Sequence, residues 1–211
     1  MKPYYKKLGR VENFDIWLVD DEWIRNNKTV YFVDVGINKH FKFIPENEIW
    51  ISRELRKEAR YLIERVLLEN KFMKTMSYGT AHNKAISIET KERRKNKITG
   101  KIYRKLLIND KIKVWLVSGV RVRNRYDADF SGSHDCVDRH VPRNEIWIDD
   151  SMSEIERKMM MIHELYERNL MSRGMCYKPA HKKASDYEAR IRKNKNKLNS
   201  AIKYELKKIN N

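Results

Sequence analysis

The strongest constraint on the fold is that the chain repeats itself. FDIWLVDDEWIRNN (14–27) returns as IKVWLVSGVRVRNR (112–125), and IPENEIWIS (44–52) returns as VPRNEIWID (141–149). A third block, MSYGTAHNKAISIE (76–89), returns 99 positions later as MCYKPAHKKASDYE (175–188). Three blocks matched in the same order read as a tandem duplication of a unit of roughly 85 residues. The expected organisation is a first repeat over 1–90, a basic linker over 91–106, a second repeat over 107–192 and a basic tail over 193–211 that reads as a helical or fraying extension.

Each unit reads as strand, strand, helix, helix, which makes the fold class α+β. An alternating β-rich run and a turn come first, and the EIWI segment follows as a second short strand. A long amphipathic helix comes next, then a break, then a helix starting near the Ala-His pair. In the second unit Ser153 and Glu156 fit a capping box. Ile155, Met159, Ile162, Tyr166 and Leu170 trace one helical face after it. Gly174 suits the end of that helix and Pro179 the first turn of the next.

That long helix contains MIHELYERNLM (161–171), which sets His163 one turn before Glu167 so that both aim at one point. Glu164 projects about 100 degrees away round the helix. At offset 99, His163 faces Glu64 of the first copy, Glu164 faces Arg65 and Glu167 faces Leu68. The constellation then belongs to the second copy alone, with a carboxylate where the first has an apolar residue. Such a carboxylate must be paired, protonated or metal-bound. His163 and Glu167 are candidate zinc ligands, and Glu164 is the candidate catalytic base on water. Zincin helices usually carry His at the position of Glu167, so HExxE is less specific than HExxH. The same residues also describe a helix whose His163 and Glu167 pair with each other or with a nearby arginine.

A third ligand is sought in His181, with Glu188 two turns further along the same face and Ala184 leaving room between them. Both recur in the first copy as His82 and Glu89, so a His–Glu pair bracing two helices explains them equally well. The loop SHDCVDRH (133–140) offers His134, Asp135, Cys136 and His140 as further candidates. Asp127 and Asp129 could hold a substrate group or cap a turn, and capping suits them better. Cys176 is expected as a small buried side chain between helices. Two cysteines are too few for a disulfide framework.

The pattern VWLV, DADF, PRNEIWID, IHELYERNLM, GMCY, AH resembles a family of small, mostly uncharacterised bacterial and phage proteins with a HELxER-LM-x-x-G-x-x-Y-x-x-AH block. The resemblance covers about 80 residues of the second copy. It implies a zincin-like helix pair and a hydrolase, with His163, Glu164, Glu167 and His181 in the recurring positions.

The formal charge of +17, from 46 Lys and Arg against 29 Asp and Glu, attracts polyanions. Nucleic acid or an acidic partner is the corresponding expectation, with Tyr4 and Tyr5 beside Lys6 and Lys7, the linker around Tyr103 and the tail as contact regions. An AT-rich coding sequence raises Lys, Asn and Ile in the same way. No run reaches the 18 apolar residues of a membrane span, and MKPYYKKLGR lacks the apolar core of a signal peptide. The expected location is the cytoplasm, or a virion if the origin is phage or viral. The leading functional expectation is a zinc-dependent hydrolase of unknown substrate. The alternative is a basic nucleic-acid-binding or structural protein in which the His/Glu cluster is a polar core brace.

Overall fold

The computed structural model describes residues 3–96 and 98–210. Lys97 of the expected linker and the outermost residues Met1, Lys2 and Asn211 lie outside the described residues. The fold is mixed α and β. The chain divides into two units, one running up to Ile98 and including Arg123–Asp129, the other formed by Thr99–Val122 and Phe130 onward.

In the first unit, β1 (Tyr4–Val11) and β2 (Phe14–Val19) form an antiparallel hairpin. Strand β2 runs parallel to β4 (Glu48–Ser52), which pairs antiparallel with the short β3 (Val35–Gly36) at the sheet edge. The order is β1-β2-β4-β3. The central strands read IWLV and EIWI because they are covered on both faces. Ile16, Leu18, Ile49 and Ile51 pack with Leu62 and Val66 of α2 (Ala59–Phe72). Val19 and Trp50, on the other face, pack with Ile24 of α1 (Asp21–Asn27) and with Phe32 and Ile44. Helix α3 (Tyr78–Lys95) follows α2.

The second unit is built in the same order. Its strands are β5 (Tyr103–Asn109), β6 (Lys113–Val117), β7 (Gly132–His134) and β8 (Glu145–Asp149), arranged β5-β6-β8-β7. Strands β6 and β8 are parallel, with Trp115 opposite Trp147 as Trp17 is opposite Trp50, and α4 (Gly119–Arg125) follows β6 in the chain. Val114, Ile146 and Ile148 pack with Met159, Ile162 and Leu165 of α5 (Glu154–Met171). The Ser153 hydroxyl accepts the Glu156 N–H and caps α5, as the sequence predicts. After α5, Gly174 takes φ +92°, the left-handed conformation that glycine adopts without strain, and the Met175 N–H bonds the Leu170 carbonyl. Helix α6 (Tyr177–Lys193) then carries Pro179 in its first turn.

Three expectations change here. The basic segment 91–106 is largely built into elements, since its first residues complete α3 and Tyr103 opens β5. Residues 193–211 are helical, one of the two forms expected, but packed and not an extension: α7 (Leu198–Asn210) buries Leu198, Ala201 and Ile202 in the same core as α5. Asn169 of α5 donates to the Glu205 backbone carbonyl and carboxylate at 3.0 and 2.9 Å. Cys176 is exposed, because it lies at the N-cap of α6, outside the buried part of the helix pair. Cys136 is exposed as well. Among the described residues, no helix is long and apolar enough to cross a membrane.

Candidate metal centre

Helix α5 presents His163, Glu164 and Glu167 on its buried side, and α6 presents His181 and Glu188 toward them. His163 Nε2 lies 3.4 Å from Glu167 Oε2. His181 Nδ1 lies 2.8 Å from that oxygen and 3.3 Å from His163 Nε2. Zinc binds nitrogen and oxygen at about 2.0–2.2 Å, so two donors on a tetrahedron stand about 3.4 Å apart. The three atoms therefore already lie near the spacing of one face of such a site, and this group could hold a metal ion. The His181 side chain is 40% exposed, so the cluster opens to solvent on the α6 side.

The orientation of His163 is set from behind. Its Nδ1 lies 2.9 Å from Glu188 Oε2, and an ionised carboxylate only accepts, so Nδ1 carries a proton and, once the ring loses its second proton, the lone pair is on Nε2, facing Glu167 and His181. Burial pushes the Glu188 carboxyl up, but the His163 hydrogen bond and the Arg192 charge outweigh it and hold it below its ordinary range. Arg192 Nε donates to Glu188 Oε1 at 2.8 Å, and its other nitrogens reach Glu156 at 2.7 and 2.6 Å. His163, Glu188, Arg192 and Glu156 thus form one buried chain from α6 back to the first turn of α5.

His134 enters from the edge strand β7, fully buried, with Nε2 3.2 Å from Glu167 Oε1. The Cys136 backbone N–H donates to its Nδ1 at 3.2 Å, which leaves the proton of the neutral ring on Nε2. In that tautomer His134 is a donor that positions Glu167, with no lone pair for a metal on that nitrogen. A second group, His134, Glu164 and Glu167, also has its donor atoms close together. His134, Asp135 and Cys136 do so too, but Asp135 is taken by the Arg168 guanidinium at 2.6 and 3.0 Å. His140 packs against Trp147 with ring centroids 5.7 Å apart and planes tilted by 58°, and it is in none of the three candidate metal groups. Asp127 caps a turn by accepting the Asp129 N–H, as expected, whereas the Asp129 side chain, expected as a cap too, pairs with Arg65 instead. The β7 backbone passes so close to α5 that a Cβ on Gly132 would stand 2.6 Å from Met160 Cγ and 3.0 Å from Glu164 Oε1.

The electrostatics follow from this enclosure. Burial pushes Glu164 up to about 7, against the pull of His163 and His134. Burial alone would lower His163, but its hydrogen bonds to Glu167 and Glu188 raise it to about 10. Burial also pushes Glu167 upward, and the hydrogen bonds from His134, His163 and His181 overcome this and hold it well below the carboxylate range. Glu156, Glu164, Glu167 and Glu188 are all buried. Arg192 neutralises the outer two, while the inner two face histidines.

The first unit holds a box with the same frame and a different centre. Glu69 Oε1 lies 2.7 Å from His82 Nδ1, as Glu167 does from His181. Arg93 Nε donates to Glu89 at 2.6 Å and its Nη1 to Glu58 at 2.6 Å, as Arg192 does to Glu188 and Glu156. One turn before Glu69 stands Arg65, where the second unit has His163. The uniform offset of 99 used for the sequence comparison therefore fails inside this helix. The offset there is 98, because one more residue separates Glu167 from Tyr177 than separates Glu69 from Tyr78. The counterpart of Glu167 is Glu69, not Leu68, and the chemistry is only partly confined to the second unit.

All four sequence candidates, His163, Glu164, Glu167 and His181, are brought into one cluster, and Glu188 stands directly behind it. His134 joins them through the alignment of β7 against α5, a long-range pairing that no local spacing encodes. Comparison with family models, with curated proteins and with solved structures returned no match, so the chemistry of the cluster is read from its own residues.

Proposed function

We propose that the second unit is a zinc-dependent hydrolase centre acting on a peptide or other acyl bond. His163 Nε2, His181 Nδ1 and Glu167 hold the ion, and Glu164 is the general base. The observation that carries this is the mutual spacing of those three donor atoms, 2.8–3.4 Å, with His163 turned inward by Glu188. Three protein ligands leave a coordination position for water or substrate, as catalytic zinc sites require. A zinc ion there supplies a Lewis acid for the scissile carbonyl and an acidified water. Glu164, held near neutrality by its burial, accepts the proton of the attacking water and returns it to the leaving group. His134 keeps Glu167 oriented by donating to its other oxygen.

The two units are read, within the same proposal, as copies of one strand–strand–helix–helix ancestor, of which the second keeps the zincin-like helix pair. Their equal strand orders and equal strand registers support this. A polyanionic partner is a separate proposal that rests on the net charge of +17. Nucleic-acid binding that weakens steeply with salt supports that proposal, and undetectable binding at low salt removes it.

The test of the hydrolase proposal is metal content by mass spectrometry on untagged protein purified without chelator. About one zinc per chain is expected, absent from a His163→Ala, Glu167→Ala double variant. Glu164→Gln is then expected to keep the metal and lose turnover on a peptide and ester substrate panel. Folded protein with no stoichiometric metal overturns the proposal and leaves the cluster a polar brace.

A further inference from the structure

The Arg65 guanidinium is 2% exposed and stands among carboxylates. It is paired with Asp34 and Asp129, the latter at 2.9 Å, and lies 3.4 Å from Glu89 and 4.0 Å from Glu69. Around it are side chains that suit a metal. His82 Nδ1 is 2.7 Å from Glu69 Oε1, and His40 Nε2 is 3.4 Å from Glu69 Oε2. The His40 side chain is 92% buried, and its Nε2 makes no hydrogen bond. We infer that Arg65 is a built-in cation occupying the place of a metal ion, and that a histidine at this position turns the box of the first unit into a second divalent-metal site with Glu69 and His82 as the other ligands. This inference rests on the metal proposal for the second unit, whose His163 stands where Arg65 stands here.

The physical case is one of charge and lone pairs. A guanidinium stays protonated at any physiological pH and has no lone pair to offer, so it neutralises the carboxylates and at the same time excludes an ion. Histidine at position 65 removes that charge and supplies a nitrogen one turn before Glu69, the relation His163 has to Glu167. The acids left behind then carry an uncompensated negative charge in a buried setting, which a divalent cation relieves. His82 already faces Glu69 as His181 faces Glu167, so no helix has to move. In the native protein the same reasoning makes the first unit a lobe whose packing is independent of metal supply.

The experiment is metal content of the full chain carrying Arg65→His, alone and combined with His163→Ala, Glu167→Ala, with cobalt(II) added as a spectroscopic probe. The expected result is about two ions per chain for Arg65→His and about one for the combined variant, with a tetrahedral cobalt spectrum from the first unit. Arg65→Lys, which keeps a charge and forms no histidine ligand, is expected to add none. Adding His82→Ala to Arg65→His is expected to remove the extra ion. One ion in both the wild type and a folded Arg65→His variant overturns this inference while the second-unit proposal stands. No ion in the wild type with one in Arg65→His does the reverse. If Arg65→His unfolds, recovery of the circular dichroism signal on adding zinc supports the inference, and no recovery at millimolar zinc overturns it.

Discussion

Glu188 Oε2 sits 2.9 Å from His163 Nδ1, and this contact decides which nitrogen of His163 faces Glu167 and His181. Without it the ring has no reason to keep its proton on the outer side. Glu188→Gln is expected to weaken zinc affinity about 10–100-fold, measured by competition with a chromophoric chelator, with the fold retained. An unchanged affinity means that His163 is not oriented through Glu188.

The metal-free cluster holds His163 protonated, at about 10, between Glu167 and Glu188. Zinc takes the neutral ring, so binding at pH 7 has to release about one proton. Calorimetric titration in buffers of different ionisation enthalpy reads that number directly. A buffer-independent binding heat contradicts the hydrogen-bonded arrangement described for His163.

Gly132 is the point where β7 passes over Glu164. In Gly132→Ala the added Cβ displaces Met160 and crowds Glu164, costing about 1–3 kcal/mol. Zinc content is expected to survive, since the three proposed ligands are untouched. Turnover is expected to fall with the displaced base. A variant of wild-type stability in urea shows that the contact is relieved without cost.

Glu58 in the first unit accepts from Arg93 at 2.6 Å and from Arg123 at 2.8 and 2.5 Å. Burial pushes its carboxyl up, but the two guanidiniums win and hold it below the ordinary value of 4.5. A depressed folded-state pKa means stability that is present above the unfolded value and lost as pH falls through the folded one. The wild type is therefore expected to lose stability below about pH 4.5, and Glu58→Gln to lose less over that window while being less stable at pH 7. Parallel pH–stability curves for the two proteins count against this role.

Ile202, 9% exposed in α7, packs in the same core as Ile162 and Leu165 of α5. Ile202→Ala is expected to cost about 2–4 kcal/mol by urea denaturation. A loss under about 0.5 kcal/mol, the size of an ordinary surface substitution, restores the view of 193–211 as a solvated tail.

Local pattern was enough for much of the molecule. The repeated blocks already implied two similar strand and helix sets. Ser153 and Pro179 marked helix starts, and the i,i+4 spacing of His163 and Glu167 placed both on one buried face. Even α7 was legible, because Leu198, Ile202, Leu206 and Ile209 follow a helical stripe that its lysines and asparagines obscured. What only the tertiary structure decided was register and long-range pairing. One additional residue at the end of α5 changes the sequence offset between the units while the helix pair meets in the same way, so Glu167 matches Glu69, and Arg65 stands where His163 does. Each step along a helix turns a side chain by about 100 degrees, so a one-residue slip moves every residue to a different face. His134 reaches Glu167 only because β7 pairs with β8 beneath α5, and the tautomer of His163 is set by a carboxylate from another helix, Glu188, whereas that of His134 is set locally by the Cys136 N–H.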